Sequence, residues 1–217
     1  EKKAKSGDRE ANELLPIING VHDLLSSGKP ARLLKISESE KPKLRNLQLL
    51  TSKPVLYICN VSEEDATTGN KHSKLVQDIA NKEDAVSIII SAKIESEISQ
   101  LQPEEKNEYL VELGLKQSGL EQVIQSGYKL LNLITYFTSG VQESRAWTVP
   151  KGSSAPRAAR EIHTDFEKGF IRAEVVSYQD YVNLGGEKKS KEAGKMRVEG
   201  KDYLVEDGDV IYFRFNV

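Results

Sequence analysis

Two short runs near the middle of the chain, Asn60-Val61-Ser62-Glu63 and Ser91-Ala92-Lys93, carry residue types able to read a flat, hydrogen-bonding ligand. A carboxylate only accepts hydrogen bonds, whereas a carboxamide both donates and accepts, so the pair can match the edge of a nucleobase. In guanine-nucleotide proteins an Asn-Lys-x-Asp loop does this, its aspartate accepting from guanine's ring N–H and exocyclic amine. Here valine stands where that loop has lysine, and Glu63 is one methylene longer than aspartate. Adenine presents an exocyclic amine beside ring acceptors and no such pair of donors. A carboxylate set for guanine would lose a partner on adenine, and unpaired buried polar groups are how such sites discriminate. Asn60, Val61 and Glu63, with backbone amides at Ser91 and Ala92, are the candidate base-reading residues. The competing interpretation is that Asn60 and Glu63 only shape a turn.

The surrounding elements favour the first interpretation. Val55 to Cys59 and Val86 to Ile90 are continuous apolar runs, separated by a helical pattern through Leu75, Val76 and Ile79. Such strands predict a parallel sheet covered on both faces. In these sheets ligands bind where the carboxyl ends of strands meet their loops, which is where both runs lie. Upstream, Leu14, Ile17, Ile18, Val21, Leu24 and Leu25 predict one amphipathic helix. Leu44, Leu47 and Leu50 predict a shorter one, stopped by Lys53-Pro54. Downstream, helices are predicted over 103–113 and from Gly119 to Leu131. Strands follow at Leu133 to Phe137, Ala146 to Val149, Ile171 to Val176, Tyr203 to Val205 and Val210 to Phe215, with a helix from Ala155 to Phe166. Two strands, a helix and further strands predict a small α+β domain of β-grasp type.

Little else in the chain points to chemistry. His22, His72 and His163 lack companions at metal-ligand spacing, so no metal site is expected. His163 is read as structural, with Thr164 or Asp165 capping a turn while Ile162 and Phe166 face the core. The single cysteine, Cys59, excludes an intrachain disulfide framework and is expected to be an ordinary buried thiol. Trp147 and Tyr136 are expected in the core. No Gly-x-x-x-x-Gly-Lys-Ser/Thr run is present to cradle phosphates and position magnesium. Gly185-Gly186-Glu187-Lys188-Lys189-Ser190 has the wrong spacing and is expected to form an exposed turn among strands. Nucleophile, base and orienter do not converge anywhere, which argues against a stand-alone enzyme.

The formal charge of -2 hides a gradient: residues 1–53 are basic on balance, 54–118 acidic, and 119–217 neutral. The basic stretch reads as a solvated face, with nucleic-acid contact the alternative. No apolar run approaches the roughly 18 residues needed to span a bilayer, and no leader opens the chain. A cytoplasmic monomer without membrane contact is therefore expected. A chain opening Glu1-Lys2-Lys3 whose only methionine is Met196 is expected to be part of something longer.

The run Gly127-Tyr128-Lys129-Leu130-Leu131-Asn132-Leu133-Ile134-Thr135-Tyr136-Phe137-Thr138 and then Glu143-Ser144-Arg145-Ala146-Trp147-Thr148 carries a resemblance. So do the segments from Ile162 to Glu174 and Glu192 to Tyr203, Asp207-Gly208-Asp209-Val210, and Phe213 to Val217. Together they closely resemble the C-terminal part of the YchF branch of the Obg-like P-loop NTPases. The resemblance implies an α/β chain: a remnant of a helical hairpin at 1–50, the later part of a P-loop NTPase-like nucleotide domain at 51–118, and a TGS domain of β-grasp fold at 119–217. It implies a preference for ATP through Asn60 and Glu63, with Val61 packing near the base. It also implies weak ATP hydrolysis with magnesium in the parent protein, the ribosome or translation machinery as partner, and RNA contact through the TGS domain. Because that family's phosphate loop and switch regions would precede Glu1, this chain alone is expected to be inactive. The alternative is a non-enzymatic TGS module that recruits a protein or RNA.

Overall fold

The computed structural model describes residues 1–216; Val217, the last residue of the expected second domain, lies outside them. The chain forms two compact units, residues 1–130 and residues from Leu131 onward.

The first unit opens with α1 (Lys2–Lys5) and α2 (Arg9–Ser26). Asp8 caps α2 by accepting from the Ala11 N–H at 2.9 Å, and the helix buries Ile17 and Val21 from the apolar stripe. Single 3-10 turns at Ala31–Leu33 and Leu50–Ser52, before and after α3 (Lys41–Asn46), are tied together by the Ala31 N–H on Thr51 Oγ1. An ion pair between Arg32 and Glu83 holds this region to the next helix. Then come β1 (Leu56–Asn60), α4 (Lys71–Lys82), β2 (Val86–Ile90), α5 (Ala92–Ile98), α6 (Pro103–Glu112) and α7 (Gly119–Leu130).

β1 and β2 pair in parallel, from Leu56 opposite Val86 to Asn60 opposite Ile90. Asn70 starts α4 through a capping box with Ser73, satisfying helix-end N–H groups that would otherwise be orphaned. A Cβ at Gly69 would meet Ile89 and one at Gly119 would meet Ile90, so α4 and α7 enter on opposite faces of β2. Glu95 accepts from the Gly119 N–H at 2.6 Å and the Leu120 N–H at 3.1 Å, anchoring the start of α7. Residues 119–130, read from sequence as the start of the second domain, thus pack on the first unit's sheet. Ile94, Ile98 and Leu110 make a small buried cluster beneath α5 and α6.

The second unit contains β3 (Leu133–Ser139), β4 (Ser144–Pro150), α8 (Ala155–Ile162), α9 (Thr164–Lys168), β5 (Phe170–Ser177), α10 (Tyr178–Leu184), α11 (Glu187–Glu192), β6 (Arg197–Glu199) and β7 (Asp209–Phe215). Its sheet runs β4-β3-β7-β5-β6, with β3 and β7 parallel and the other neighbours antiparallel. Ala155, Ala158 and Ala159 are fully buried, so α8 lies close on the sheet over Tyr136, Val175 and Ile211. The Tyr136 hydroxyl, also buried, donates to the Ala158 carbonyl at 2.9 Å. The whole is a mixed α/β chain with one parallel and one mixed sheet.

Five local expectations are corrected. Tyr203 to Val205 is not a strand: its backbone bonds run to Ser153 and Ala155 ahead of α8, leaving one isolated bridge between Ser154 and Leu204. The helix expected from Ala155 to Phe166 breaks at His163, whose backbone is extended at φ -161 and ψ 143. His163, and not Thr164 or Asp165, makes the cap, its Nδ1 accepting from the Asp165 N–H at 3.2 Å. Gly185 and Gly186, at φ 79 and φ 112, join two helices instead of lying among strands, and only glycine adopts that pair of conformations cheaply. Tyr136 is core as expected, whereas Trp147 is half-buried, with Arg145 stacked 4.2 Å from its ring. Among the described residues no helix is long and apolar enough to cross a membrane.

Candidate functional site

β1 ends at Asn60 and β2 at Ile90, and because these are register partners the chain leaves both strands side by side. The Val61 N–H donates to the Ile90 carbonyl at 2.9 Å, extending the ladder by one rung. Beyond it the Ala92 N–H donates to Asn60 Oδ1, also at 2.9 Å, which joins the two motifs directly. That bond orients the carboxamide: its oxygen faces α5 and its Nδ2 donors face away. The Ala92 amide, expected from sequence to be free for a base, is committed to Asn60.

Glu63 begins a 3-10 turn, Glu63–Asp65, and pairs with Lys93 Nζ at 2.6 Å. The hydrogen bond it donates to Glu63 holds the Lys93 amine above its usual range. Asp65 closes the loop from the other side, accepting from Ser62 Oγ and Asn70 Nδ2, each at 3.0 Å. Asn70 in turn caps α4, so the Asn60–Glu63 loop is held between two helix starts. Val61 is half-buried. Ser91 is buried at the start of α5, and its hydroxyl makes no hydrogen bond. An orphaned buried hydroxyl is costly and calls for a partner.

The structure therefore brings together Asn60, Val61, Glu63, Ser91 and Ala92. It gives Lys93, the last residue of the second run, a partner in Glu63, and adds Asp65 and Asn70, which sequence reasoning did not place in the site. The pairing of Lys93 with Glu63 was within reach of that reasoning, since an acid after one strand and a base after its parallel neighbour fall opposite each other. Asp65 and Asn70 carried no such signal, because their bond depends on how the loop curls. Cys59, expected to be buried, is free and half-buried. Among the described residues no three His, Cys, Asp or Glu side chains cluster to hold a metal ion. Chemically the arrangement is one of recognition: a carboxamide donor, a carboxylate acceptor and an apolar wall.

Residues 133–216 match the family described as YchF-GTPase_C, protein of unknown function. The chain is 50% identical, over 217 residues, to the protein named Ribosome-binding ATPase YchF from Escherichia coli O157:H7. It is also 50% identical over 218 residues to the protein of that name from Bacillus subtilis strain 168. In both comparisons all of the chain is covered, and it spans 60% of the relative's length. Among solved structures, the Schizosaccharomyces pombe YchF GTPase superposes with a TM-score of 0.83 at 36% identity, covering 95% of this chain and 56% of that one. With half of its residues shared from end to end, this chain belongs to the YchF family.

Proposed function

We propose that this chain supplies the adenine-reading part of the nucleotide-binding domain, together with a TGS domain of β-grasp fold, to a cytoplasmic ribosome-associated ATPase. The observation that carries the reading is the Asn60–Ala92 hydrogen bond. It leaves Asn60 Nδ2 as a donor beside the Glu63 acceptor, and adenine's edge offers an acceptor beside an amine donor. Guanine would bring two donors to the same place, and with Glu63 Oε2 held by Lys93 at 2.6 Å a single carboxylate oxygen remains to receive them. Val61 fits against the base. The names carried by the Escherichia coli and Bacillus subtilis relatives support both ribosome association and ATP turnover.

ATP bound with magnesium supplies the phosphoryl group for hydrolysis. Its phosphates and metal would be held by residues of the longer protein, so this chain alone is expected to be catalytically silent. Ile58 on β1 is 48% exposed, which suits a further strand of the nucleotide domain alongside it. In the second unit, the order β4-β3-β7-β5-β6 with a parallel β3–β7 pair suits a β-grasp assignment. Arg157, Arg160, Lys168 and Arg172 of that unit are engaged in ion pairs. That pairing favours a shape-based or protein-facing contact with the ribosome over a bare polyanion patch.

The test is to substitute Asn60→Ala and Glu63→Ala in the full-length protein and to measure ATP and GTP binding by calorimetry, with ribosome co-sedimentation alongside. The ATP preference is expected to fall about tenfold, near 1.4 kcal/mol. Unchanged selectivity with unchanged ribosome binding would defeat the nucleotide-reading proposal and leave the second unit as a recruiting module.

A further inference from the structure

The side of β2 facing away from β1 carries backbone groups that make no hydrogen bond among the described residues. The Val86 N–H donates to the Val55 carbonyl, and the Ile90 carbonyl accepts from Val61, so the even-numbered residues of β2 turn their backbone towards β1. Ser87 and Ile89 consequently turn theirs outward. β2 has no second neighbour strand among the described residues. Two N–H and two C=O groups are left unpaired, in sets about 6.6 Å apart at the usual rise per residue. Free edges are normally blunted by charge, proline or a bulge. Val86-Ser87-Ile88-Ile89-Ile90 has neither a charged residue nor a proline, and its register is regular.

This edge does not face open solvent. It forms the floor of a groove of about 560 Å³ whose walls include Gln77 of α4, Gln122 of α7, and Lys116 and Gln117 between α6 and α7. An apolar occupant would bury the four backbone groups unsatisfied, and an anion would engage only the N–H pair. An extended backbone supplies donors and acceptors together at a two-residue repeat, which is how strand addition works. Lys116 is the one charged side chain in the groove and forms no ion pair among the described residues.

We infer that the outer edge of β2 is a docking site for an extended peptide segment of a partner protein, which pairs with Ser87 and Ile89 and places an acidic side chain against Lys116. This surface is separate from the base-reading loop and does not depend on that assignment.

The probe is a set of fluorescein-labelled hexapeptides alternating valine and threonine, with a single glutamate moved along the positions, titrated into the whole 217-residue chain. Saturable binding is expected, with amide NMR shifts concentrated at Ser87 and Ile89. Lys116→Glu should weaken the best peptide about fivefold, and exchanging the peptide's glutamate for lysine should restore it. Methylating alternate peptide nitrogens should abolish binding in one of the two phases. Ile89→Pro removes an outward N–H without touching the β1 ladder and should also abolish it; if that variant does not fold, the charge exchange and the methylated peptides decide. Absence of binding, or binding indifferent both to methylation and to Lys116→Glu, overturns the inference. So does protection of the Ser87 and Ile89 amides that appears with self-association, which would make a second copy the occupant.

Discussion

In the first unit two parallel strands are flanked by helices, yet every residue of β2 is only half-buried, and Ile58, Leu75 and Ile79 remain exposed on β1 and α4. In the second unit five strands and α8 enclose a continuous core that runs from Ile134 and Tyr136 on β3 to Ile211 on β7. Parallel sheets are normally buried on both faces, because their backbone connections lay helices over each. The first unit therefore has the strand chemistry of an interior without a full set of neighbours, whereas the second completes its core from its own residues. The difference separates two kinds of legible sequence: apolar runs that announce a sheet, and apolar runs whose partners are all present.

Tyr136→Ala is the most damaging test of that contrast. It removes a fully buried ring, its edge contact with Phe213 and its bond to the Ala158 carbonyl. A loss of about 3–5 kcal/mol is expected for deleting a buried aromatic. Trp147 is the only tryptophan and lies in the second unit, so its fluorescence in urea reports that unit alone. Its midpoint should fall by about 1–3 M while amide protection at Ile88 and Ile90 persists. Joint melting of both units would break the comparison. Gly169→Ala comes next: a Cβ there would fall on the Asn216 backbone, where Asn216 N–H donates to the Gly169 carbonyl at 2.8 Å. Backbone cannot move aside as a side chain does, so about 1–3 kcal/mol should be lost, again read by Trp147.

Glu174 sharpens the contrast through pH. It is buried on β5 and accepts from Arg214 Nη2 at 2.7 Å, with Arg172 at 3.4 Å. The hydrogen bond from Arg214 holds its carboxyl below the ordinary value of 4.5. A carboxyl depressed on folding stabilises above its unfolded value, and that stability is lost as pH falls through the folded value. Asp209 acts in the opposite sense: burial raises its carboxyl, against the Tyr203 hydroxyl and Glu206 N–H that favour the charged form. Its burden is relieved as pH falls through the raised value, so it partly offsets Glu174 in acid. Glu174→Gln should cost about 2 kcal/mol near neutral pH, the worth of a hydrogen bond to a charged group. It should also flatten the acid limb of the Trp147-detected stability below pH 4.5. An unchanged acid limb would show that other groups set it.

The parts that were legible had local causes. Val86–Ile90 is an unbroken apolar run between polar turns, and the helix from Gly119 is opened by Ser118 and Glu121, which bond each other's backbone N–H groups. The meeting of Asn60 with the Ser91-Ala92-Lys93 run followed from two parallel strands of equal length. What stayed hidden depended on partners distant in sequence or on geometry no pattern encodes. Tyr203–Val205 has strand composition, but its backbone is taken by residues before α8. The break at His163 rests on an imidazole nitrogen acting as a cap. Helices α10 and α11 surround a glycine pair that reads as a turn, and α5 is too short for its periodicity to show. In the site, the Ala92 amide was assigned outward because sequence cannot say which acceptor a backbone N–H will choose.

The smallest expected effect tests the first unit directly. Ile58 is an apolar residue in the middle of β1 that gains little from burial here, since nearly half its surface is exposed. Ile58→Thr keeps a β-branched side chain, so strand preference changes little and the cost is confined to apolar contact. In this chain it should stay within about 0.5 kcal/mol, as surface substitutions do. Under the proposal that a further strand lies alongside β1 in the longer protein, the same change would bury a hydroxyl there and cost about 1–3 kcal/mol. Urea unfolding followed by amide signals of the first unit, in this chain and in the full-length protein, gives both numbers. Equal small costs would mean that Ile58 faces solvent in both and that the sheet is not continued past β1; a cost that appears only in the longer protein would identify the missing neighbour by the energy it adds.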